Sequence, residues 1–303
     1  MTRAIHRAEA LLFDAVLALM RALGPVRASN LAGWLGRTVG PWMLVTRVAN
    51  ENLRRAMPEL GAADRARIIR GVYDNLARTI AELPHLGRFE RTDSGPGFEI
   101  DDASDARLKQ IFAAGGPAIY FTGHYGNWEM LAPVSGHYRT PVAVLYRAAN
   151  NPIVDRTINR LRMQAMRGQS VLFPKGAAGA RAAMKHLSEG KFLGMLTDQK
   201  MNDGIAVDFF GRPAMTAPAL AALALRYHCP VIPIRCVRIA PARLRIIAEA
   251  PLPLPDSGDR KADIHALTLA MNQSLERWIR EAPQNWFWLH RRWPKEHKNQ
   301  AQP

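Results

Sequence analysis

A histidine and a glutamate five residues apart are the side chains in this 303-residue sequence that best suit acid-base chemistry. They are His124 and Glu129, in the run AIYFTGHYGNWEMLAPV. On one continuous helix this offset would point the two side chains in different directions. The pair is useful only if His124 lies in a loop and Glu129 in the first turn of the next helix. The sequence allows this, because the apolar run ending at Thr122 predicts a strand and Asn127 is typical of the N-cap of a helix beginning at Trp128.

The chemistry that suits this pair is the attack of a hydroxyl on a thioester carbonyl. Neutral histidine is a suitable base near pH 7 and would take the hydroxyl proton. A carboxylate in a first helical turn is favoured by the helix dipole, so Glu129 is expected to stay ionised and to hold the imidazole of His124. A thiol leaves readily, and the sequence contains no G-x-S-x-G nucleophile motif. The alternative is a loop histidine beside an unrelated glutamate, which is a common chance pair.

Cysteine and metal chemistry are less favoured. Cys229 and Cys236 lie in the apolar run CPVIPIRCV, where small buried hydrophobic residues are expected. A metal hydrolase using His124, Glu129 and Asp198 is an alternative, but neither H-E-x-x-H nor a paired-histidine spacing accompanies these residues. The sequence therefore predicts no metal site and no bound cofactor.

Short apolar runs bounded by glycine and proline alternate with helical patterns after Gly115. They are PAIYFTG, PVAVLYR, FLGMLTD, CPVIPIRCV and LRIIAEA. Strands that alternate with helices predict an α/β fold, with a mixed central sheet flanked by helices. The last periodic segment, Ile264 to Ile279, is predicted to be a helix, and the aromatic residues Trp286, Phe287 and Trp288 after it are interpreted as core.

Three charged residues follow or end predicted strands. Asp198 follows FLGMLT, Arg147 ends PVAVLYR, and Lys175 lies in FPKG. Sites in open α/β sheets gather at the carboxyl ends of strands, and the two cations would suit phosphate or carboxylate groups of an acceptor. Lys200 is a candidate for a basic residue that Asp198 orients. A plain strand-ending aspartate is the alternative for Asp198.

The first 50 residues favour helices that associate with a membrane. Leu12, Val16, Leu19 and Leu23 recur at helical spacing, which predicts an amphipathic helix. This helix would lie in a bilayer interface or, alternatively, cover the protein's own core. The apolar stretch from residue 31 to 48 adds tryptophans and arginines suited to the headgroup level. No stretch is long and uncharged enough for a transmembrane helix, and charged residues interrupt the segment that a signal peptide would need.

The sequence carries 41 Lys and Arg against 26 Asp and Glu, a net charge of +15 that favours anionic partners. Nucleic acid is one such partner. However, no nucleic-acid-binding motif is present and the basic residues are spread along the chain, so this class is disfavoured.

Several further blocks share a pattern with known enzymes: YRAANNP, MRGQSVLFPKGAAGAR, LTDQKMNDGIAVDFFGRPAMT, QNWFWLHRRW and RVANENLRRAMPEL. Together they resemble the lipid A biosynthesis acyltransferase family, the late-acting enzymes that add secondary acyl chains to a lipopolysaccharide precursor. The likeness covers nearly the whole chain. The His-x4-acidic motif is shared with the wider glycerolipid acyltransferases.

The resemblance implies four residues needed for activity, namely His124, Glu129, Arg167 and Asp198. An arginine near the reacting centre would bind a phosphate or the developing oxyanion. The alternative for Arg167 is a solvated residue on a basic helix that also carries Arg160 and Arg162. The candidates for substrate binding are Asn127, Arg147, Lys175 and Lys200.

The resemblance further implies an O-acyltransferase with acyl carrier protein as donor and a Kdo-bearing lipid A precursor as acceptor. A phosphatidylinositol mannoside is the alternative acceptor within related enzymes. The expected location is the cytoplasmic face of the inner membrane. Residues 1–50 are predicted to form the membrane-associating helices and residues 51–303 the acyltransferase domain.

Overall fold

The N-terminal region forms helices, as the helical spacing of its apolar residues predicts. The structure is a computed structural model that describes residues 2 to 168 and 170 to 294. Gly24 separates the first two helices with a left-handed φ of 74°, and Pro25 begins the second because its fixed φ suits a first helical position. These helices are α1 (Thr2–Leu23), α2 (Pro25–Val39), α3 (Thr46–Ala56) and α4 (Ala62–Glu82).

Beyond α4, short apolar runs form strands and most segments between them form helices. The strands are β1 (Gly97–Ile100), β2 (Ala118–Thr122), β3 (Val142–Tyr146), β4 (Leu172–Pro174), β5 (Phe192–Leu196), β6 (Ile205–Asp208), β7 (Pro213–Thr216), β8 (Val231–Ala240) and β9 (Arg243–Ala248). The helices are α5 (Asp102–Ala114), α6 (Leu131–His137), α7 (Pro152–Ala165), α8 (Ala177–Ser188), α9 (Ala219–Tyr227) and α10 (Arg260–Glu281). Short 3-10 helices span Gly40–Trp42, Leu83–Arg88, Trp128–Met130 and Pro283–Asn285. The helix predicted from Ile264 to Ile279 is part of α10, which extends further at both ends.

Seven strands form the central sheet in the order β1, β9, β8, β2, β5, β3, β4. Neighbouring strands are parallel except β8 and β9, which pair antiparallel. β6 and β7 form a separate antiparallel pair. The prediction of an α/β fold with a mixed central sheet and flanking helices is confirmed.

The parallel strands β2, β5, β3 and β4 place their carboxyl ends at one edge of the sheet. Crossover connections return the chain to the opposite edge each time, so the segments that leave these strands meet. They carry His124, Asp198, Arg147 and Lys175. The topology alone therefore brings four of the predicted site residues to the same edge.

Strand β2 lies between two hydrophobic cores. Ile119 and Phe121 pack into the core formed with α4, α9 and α10, while Ala118 and Tyr120 pack into the core formed with α5, α6 and β9. Successive side chains of a strand point to opposite faces, and all five residues of β2 are buried. The loop that follows β2 is thus anchored on a strand held from both sides.

Helix α1 has one face packed on the protein and another exposed. Leu17 and Met20 are buried, and the Met20 carbonyl lies 3.1 Å from His85 Nε2. By contrast Leu12 and Leu19 are 68% and 53% exposed. The alternative prediction, that this helix covers the protein's own core, thus holds for the buried face of α1 and not for its exposed face. No helix in the described part of the chain is long and apolar enough to cross a membrane.

Candidate active site

The imidazole of His124 is held by the carboxylate of Asp198, which follows strand β5. His124 Nδ1 lies 2.8 Å from Asp198 Oδ1, and the His124 backbone N–H donates to Asp198 Oδ2 over 2.7 Å. Two contacts to one buried carboxylate fix both the ring and the loop that carries it. Since a carboxylate only accepts, Nδ1 carries the proton and the lone pair stays on Nε2.

The C-terminal aromatic segment supports the same pair. Trp286 Nε1 donates to Asp198 Oδ2 over 2.8 Å, and the backbone N–H of Phe287 donates to the His124 carbonyl over 3.0 Å. Trp286 is buried in the core, as predicted. It also fixes the carboxylate, a role that its position in an apolar cluster does not indicate.

Asp198 stays ionised although it is fully buried. Burial alone would raise its pKa, but the electrostatic attraction and hydrogen bonds of the His124 N–H groups outweigh that penalty and hold the pKa well below its usual range. A carboxylate that stays charged can stabilise an imidazolium formed on His124 during a reaction.

Glu129 pairs with Arg162 of helix α7. Arg162 Nε donates to Glu129 Oε2 over 2.7 Å and Arg162 Nη2 donates to Oε1 over 2.6 Å, a bidentate pair. Trp128 Nε1 also donates to Oε1 over 3.1 Å. Burial raises the pKa of Glu129, but the Arg162 guanidinium outweighs it and the pKa is lowered. Glu129 is therefore an ionised carboxylate, as expected.

The partner of the imidazole differs from the sequence-based expectation. The sequence predicts that Glu129 holds the His124 ring, yet Asp198 occupies Nδ1 and both Glu129 oxygens accept from Arg162. The reason is topological, because β5 lies directly beside β2 and the aspartate that follows β5 reaches the loop of residues 123–127 after β2, here called the motif loop. Glu129 still lies close enough to His124 for an electrostatic interaction between them to contribute to its lowered pKa.

Two glycines let the motif loop approach the rest of the protein. Gly126 has a left-handed φ of 58°, and a Cβ there would lie 1.8 Å from the Cys236 carbonyl oxygen. A Cβ on Gly123 would lie 3.0 Å from Asp198 Oδ2. Both positions favour glycine because backbone or carboxylate atoms fill the space that a side chain would need.

A buried ionic network lies behind the loop and centres on Glu82 at the end of α4. Glu82 accepts from Ser29 Oγ over 2.7 Å, from Asn127 Nδ2 over 2.7 Å, and from two nitrogens of Arg238 over 2.5 and 3.0 Å. Asn127 Oδ1 in turn accepts from the Glu129 backbone N–H over 3.1 Å. Asn127 is confirmed as the N-cap, and its side-chain NH2 donates to Glu82. Asn127 thus positions the loop from within, which differs from the substrate contact expected of it.

A cavity of about 750 Å³ opens beside His124. Its walls come from both sides of the sheet edge and are mostly apolar. They include Leu108, Phe112, Tyr120, Val134, Val142, Val144, Met166, Met195 and Ile234. His124, Glu129 and Arg162 are among its polar lining residues. The cavity therefore suits an apolar chain whose reactive end lies at the imidazole.

Arg147 and Lys175 line the same cavity and are exposed. Among the described residues, neither side chain forms a hydrogen bond or an ion pair. Free cations beside an apolar cavity suit a ligand with an anionic head and an apolar tail.

Arg167 and Lys200 do not line the cavity. Arg167 Nη2 pairs with Glu90 Oε1 at 3.0 Å, and the arginine side chain is 47% exposed. Arg167 follows the end of α7 with a left-handed φ of 55°, so its side chain leaves the helix in a different direction. From the basic segment of α7, it is Arg162 that reaches the cavity, about one helical turn before the end of the helix. The sequence indicates Arg162 only as part of a basic helix.

Both cysteines are buried and unpaired, as predicted. Burial raises the pKa of the Cys229 thiol to about 11 and raises that of Cys236 further. Neither is a ready thiolate nucleophile. Within the described residues, no group of three His, Cys, Asp or Glu side chains is arranged to hold a metal ion.

The geometry can abstract a proton at Nε2 of His124 and stabilise the resulting charge through Asp198. The cavity suits an apolar chain, and Arg162, Arg147 and Lys175 supply positive charge along its lining.

The chain matches one protein-family model over nearly its whole length. The model of the bacterial lipid A biosynthesis acyltransferase family matches residues 2–295. A search of curated individual proteins gave no match. With its entire site inside the matched region, the chain belongs to the bacterial lipid A biosynthesis acyltransferase family.

Proposed function

We propose that this acyltransferase moves a fatty acyl chain from acyl carrier protein to a hydroxyl of a Kdo-bearing lipid A precursor. The observation that carries the proposal is the Asp198-held imidazole of His124 on the wall of an apolar cavity of about 750 Å³. The family supports acyl transfer in lipid A biosynthesis. The donor, the acceptor and the roles of individual residues are part of the proposal.

The proposed reaction is a direct transfer in which His124 Nε2 takes the proton of the acceptor hydroxyl as its oxygen attacks the thioester carbonyl carbon. The new C–O ester bond forms, the C–S bond breaks, and the proton passes from the imidazolium to the departing thiolate. Asp198 stabilises the imidazolium while it exists. No covalent enzyme intermediate and no cofactor is required.

Positive charge around the cavity supports an anionic acceptor. Arg162 is held by Glu129 and is suited to stabilise the developing oxyanion. Arg147 and Lys175 are suited to bind a phosphate or a carboxylate of the acceptor. A phosphatidylinositol mannoside offers similar chemistry and is the alternative acceptor. Acyl carrier protein is acidic, and a chain of net charge +15 would attract it electrostatically.

The exposed apolar face of α1 supports association with the cytoplasmic face of the inner membrane. Leu11, Leu12 and Leu19 are each more than half exposed. The start of α1 also contacts the segment before α7, where Asn151 Nδ2 donates to the His6 carbonyl over 2.8 Å, and the neighbouring residue 150 lines the cavity. A lipid acceptor held at this face would thus lie near the catalytic cavity. Residues 1–50 as a membrane-associating part and 51–303 as the transferase domain remain our division of the chain.

Replacing either member of the His124 and Asp198 pair should remove most activity. We expect His124→Ala and Asp198→Asn each to lower kcat by about 100-fold to 10,000-fold, since general-base catalysis is worth that much. Asp198→Asn keeps the shape and loses the charge. Steady-state assay with acyl carrier protein thioester checks this, and Asp203→Asn, an exposed aspartate in the following turn, is the control. Near wild-type turnover by folded Asp198→Asn would show that the carboxylate does not support the base.

Substitutions at Arg162 and Arg167 should differ sharply in their effects. Arg162→Ala strips the buried Glu129 of its bidentate partner, and breaking a buried ion pair costs about 3 to 5 kcal/mol. We therefore expect a lower melting temperature together with a loss of turnover. Arg162→Lys retains the positive charge beside Glu129 but cannot form the bidentate pair. Comparing it with Arg162→Ala separates the loss of stability from the loss of activity.

Arg167→Ala removes only an exposed pair with Glu90, which is worth about 0 to 1 kcal/mol. We expect it to keep both its melting temperature and its turnover. Thermal unfolding and kcat, measured on this variant and on the two Arg162 variants, check the contrast. A large loss of turnover in stable Arg167→Ala would restore the role that the family resemblance implies for Arg167.

Polar substitution on the exposed face of α1 should weaken binding to anionic vesicles. Substitution is a sharper test than deletion, because deleting α1 would also uncover the core beneath Leu17. Burying a leucine is worth about 1.5 to 3 kcal/mol, so Leu11→Gln/Leu12→Gln should lower vesicle affinity at least about tenfold in sedimentation. Val171→Gln, an exposed apolar site near β4, is the control. Unchanged affinity of the double variant would show that this face does not enter the bilayer.

A further inference from the structure

A second, shallower groove lies behind the motif loop and is lined by arginines. Its volume is about 410 Å³, and its charged lining residues are Arg37, Arg67, Arg70, Asp74 and Arg238. It shares no lining residue with the catalytic cavity. It is therefore a separate feature that the proposed reaction does not use.

The charges around this groove leave an excess of positive charge. Asp74 is its only lining carboxylate among the described residues, and it is shared between Arg37 at 2.8 Å and Arg78, outside the groove, at 2.7 Å. Arg67 pairs only with Asp64 among the residues that the structure describes, and both side chains are at least half exposed. Such a pair is weak in water.

Arg70 makes no ion pair or hydrogen bond within the described part of the chain. Its guanidinium is always charged and carries donors arranged as a fork that fits a phosphate. With Arg67 about one helical turn away on α4, it offers two adjacent guanidinium groups to an anion.

Exposed apolar side chains lie on the helix that contributes Arg37 to the groove and in the turn that follows this helix. Helix α2, which contributes Arg37, also carries Trp34 and Val39, which are 51% and 59% exposed. Trp42 and Leu44 follow directly and are 87% and 81% exposed. Exposed tryptophan and aliphatic side chains beside arginines are typical of a surface at the level of lipid headgroups.

We propose that this groove binds the phosphate of an anionic phospholipid in the bilayer on which the apolar side chains of α2 and the following turn rest. The inference rests on the proposed membrane association. Arg67 and Arg70 would contact the phosphate oxygens, and Arg37 would join the groove to the helix that carries Trp34 and Val39. The charge of the groove favours an anion, and the exposed apolar side chains of α2 and the following turn favour one that carries acyl chains.

The floor of the groove also holds the motif loop. Asn75 Nδ2 donates to the Gly126 carbonyl over 2.9 Å, and Arg238 Nε donates to Asn75 Oδ1 over 3.3 Å. A phosphate in the groove would thus lie against the residues that fix the back of the loop.

Binding of a short-chain lipid to the full chain tests the proposal. Dihexanoyl phosphatidylglycerol, kept below its critical micelle concentration, is titrated by calorimetry, with dihexanoyl phosphatidylcholine and inorganic phosphate as comparison ligands. We expect one saturable site for phosphatidylglycerol and binding at least about tenfold weaker to Arg67→Gln/Arg70→Gln. The matched control Arg156→Gln/Arg160→Gln removes two exposed charges one helical turn apart on α7, outside the groove, and should bind within about twofold of wild type. Arg70→Gln alone serves if the double variant does not fold.

Three results would overturn the proposal. The first is equal binding by the groove and control variants, or no saturable site at all. The second is binding of inorganic phosphate as tight as that of phosphatidylglycerol, which would make the groove a general anion site. The third is loss of acyl carrier protein binding in the groove variant with phosphatidylglycerol binding unchanged, which would make it a protein surface. Transfer activity of wild type on detergent-dispersed acceptor, measured in parallel, reports separately on the proposed function.

Discussion

The buried carboxylate of Asp198 is the group on which the site depends. It accepts from the ring of His124, from the backbone of the same residue and from the indole of Trp286. A charge removed from water is tolerated only when such partners satisfy it, and each partner is fixed in turn by doing so. The strand β5, the motif loop after β2 and the C-terminal aromatic segment are thereby joined at one point.

A second buried charge acts in a comparable way behind the loop. Glu82 joins α2, α4, the motif loop and strand β8 through Ser29, Asn127 and Arg238. The front of the loop is thus set by Asp198 and the back by Glu82. The N-terminal helices contribute directly to the geometry of the site, because both Ser29 and Glu82 come from them.

Local pattern predicts much of the fold but few of the side-chain partners in the site. Apolar runs bounded by glycine and proline indicate the strands, and the residue type of Asn127 indicates the N-cap. A strand end brings Asp198 to the site, yet its pairing with His124 requires the strand order, which places β5 beside β2. Arg162 and Arg167 are close in sequence, but only Arg162 reaches the cavity, because Arg167 follows α7 in a left-handed conformation. Side-chain direction depends on tertiary structure, which no local pattern reveals.

We propose that the His124 and Asp198 pair beside the apolar cavity transfers an acyl chain to a glycolipid hydroxyl. Mass spectrometry of the glycolipid after incubation with acyl carrier protein thioester, with free thiol measured in the same sample, tests it most directly. We expect a Kdo-bearing lipid A precursor to gain one ester-linked acyl chain for each thiol released. Release of thiol with free fatty acid and no gain of mass on the glycolipid would contradict it, because the protein would then direct water rather than an acceptor hydroxyl to the thioester.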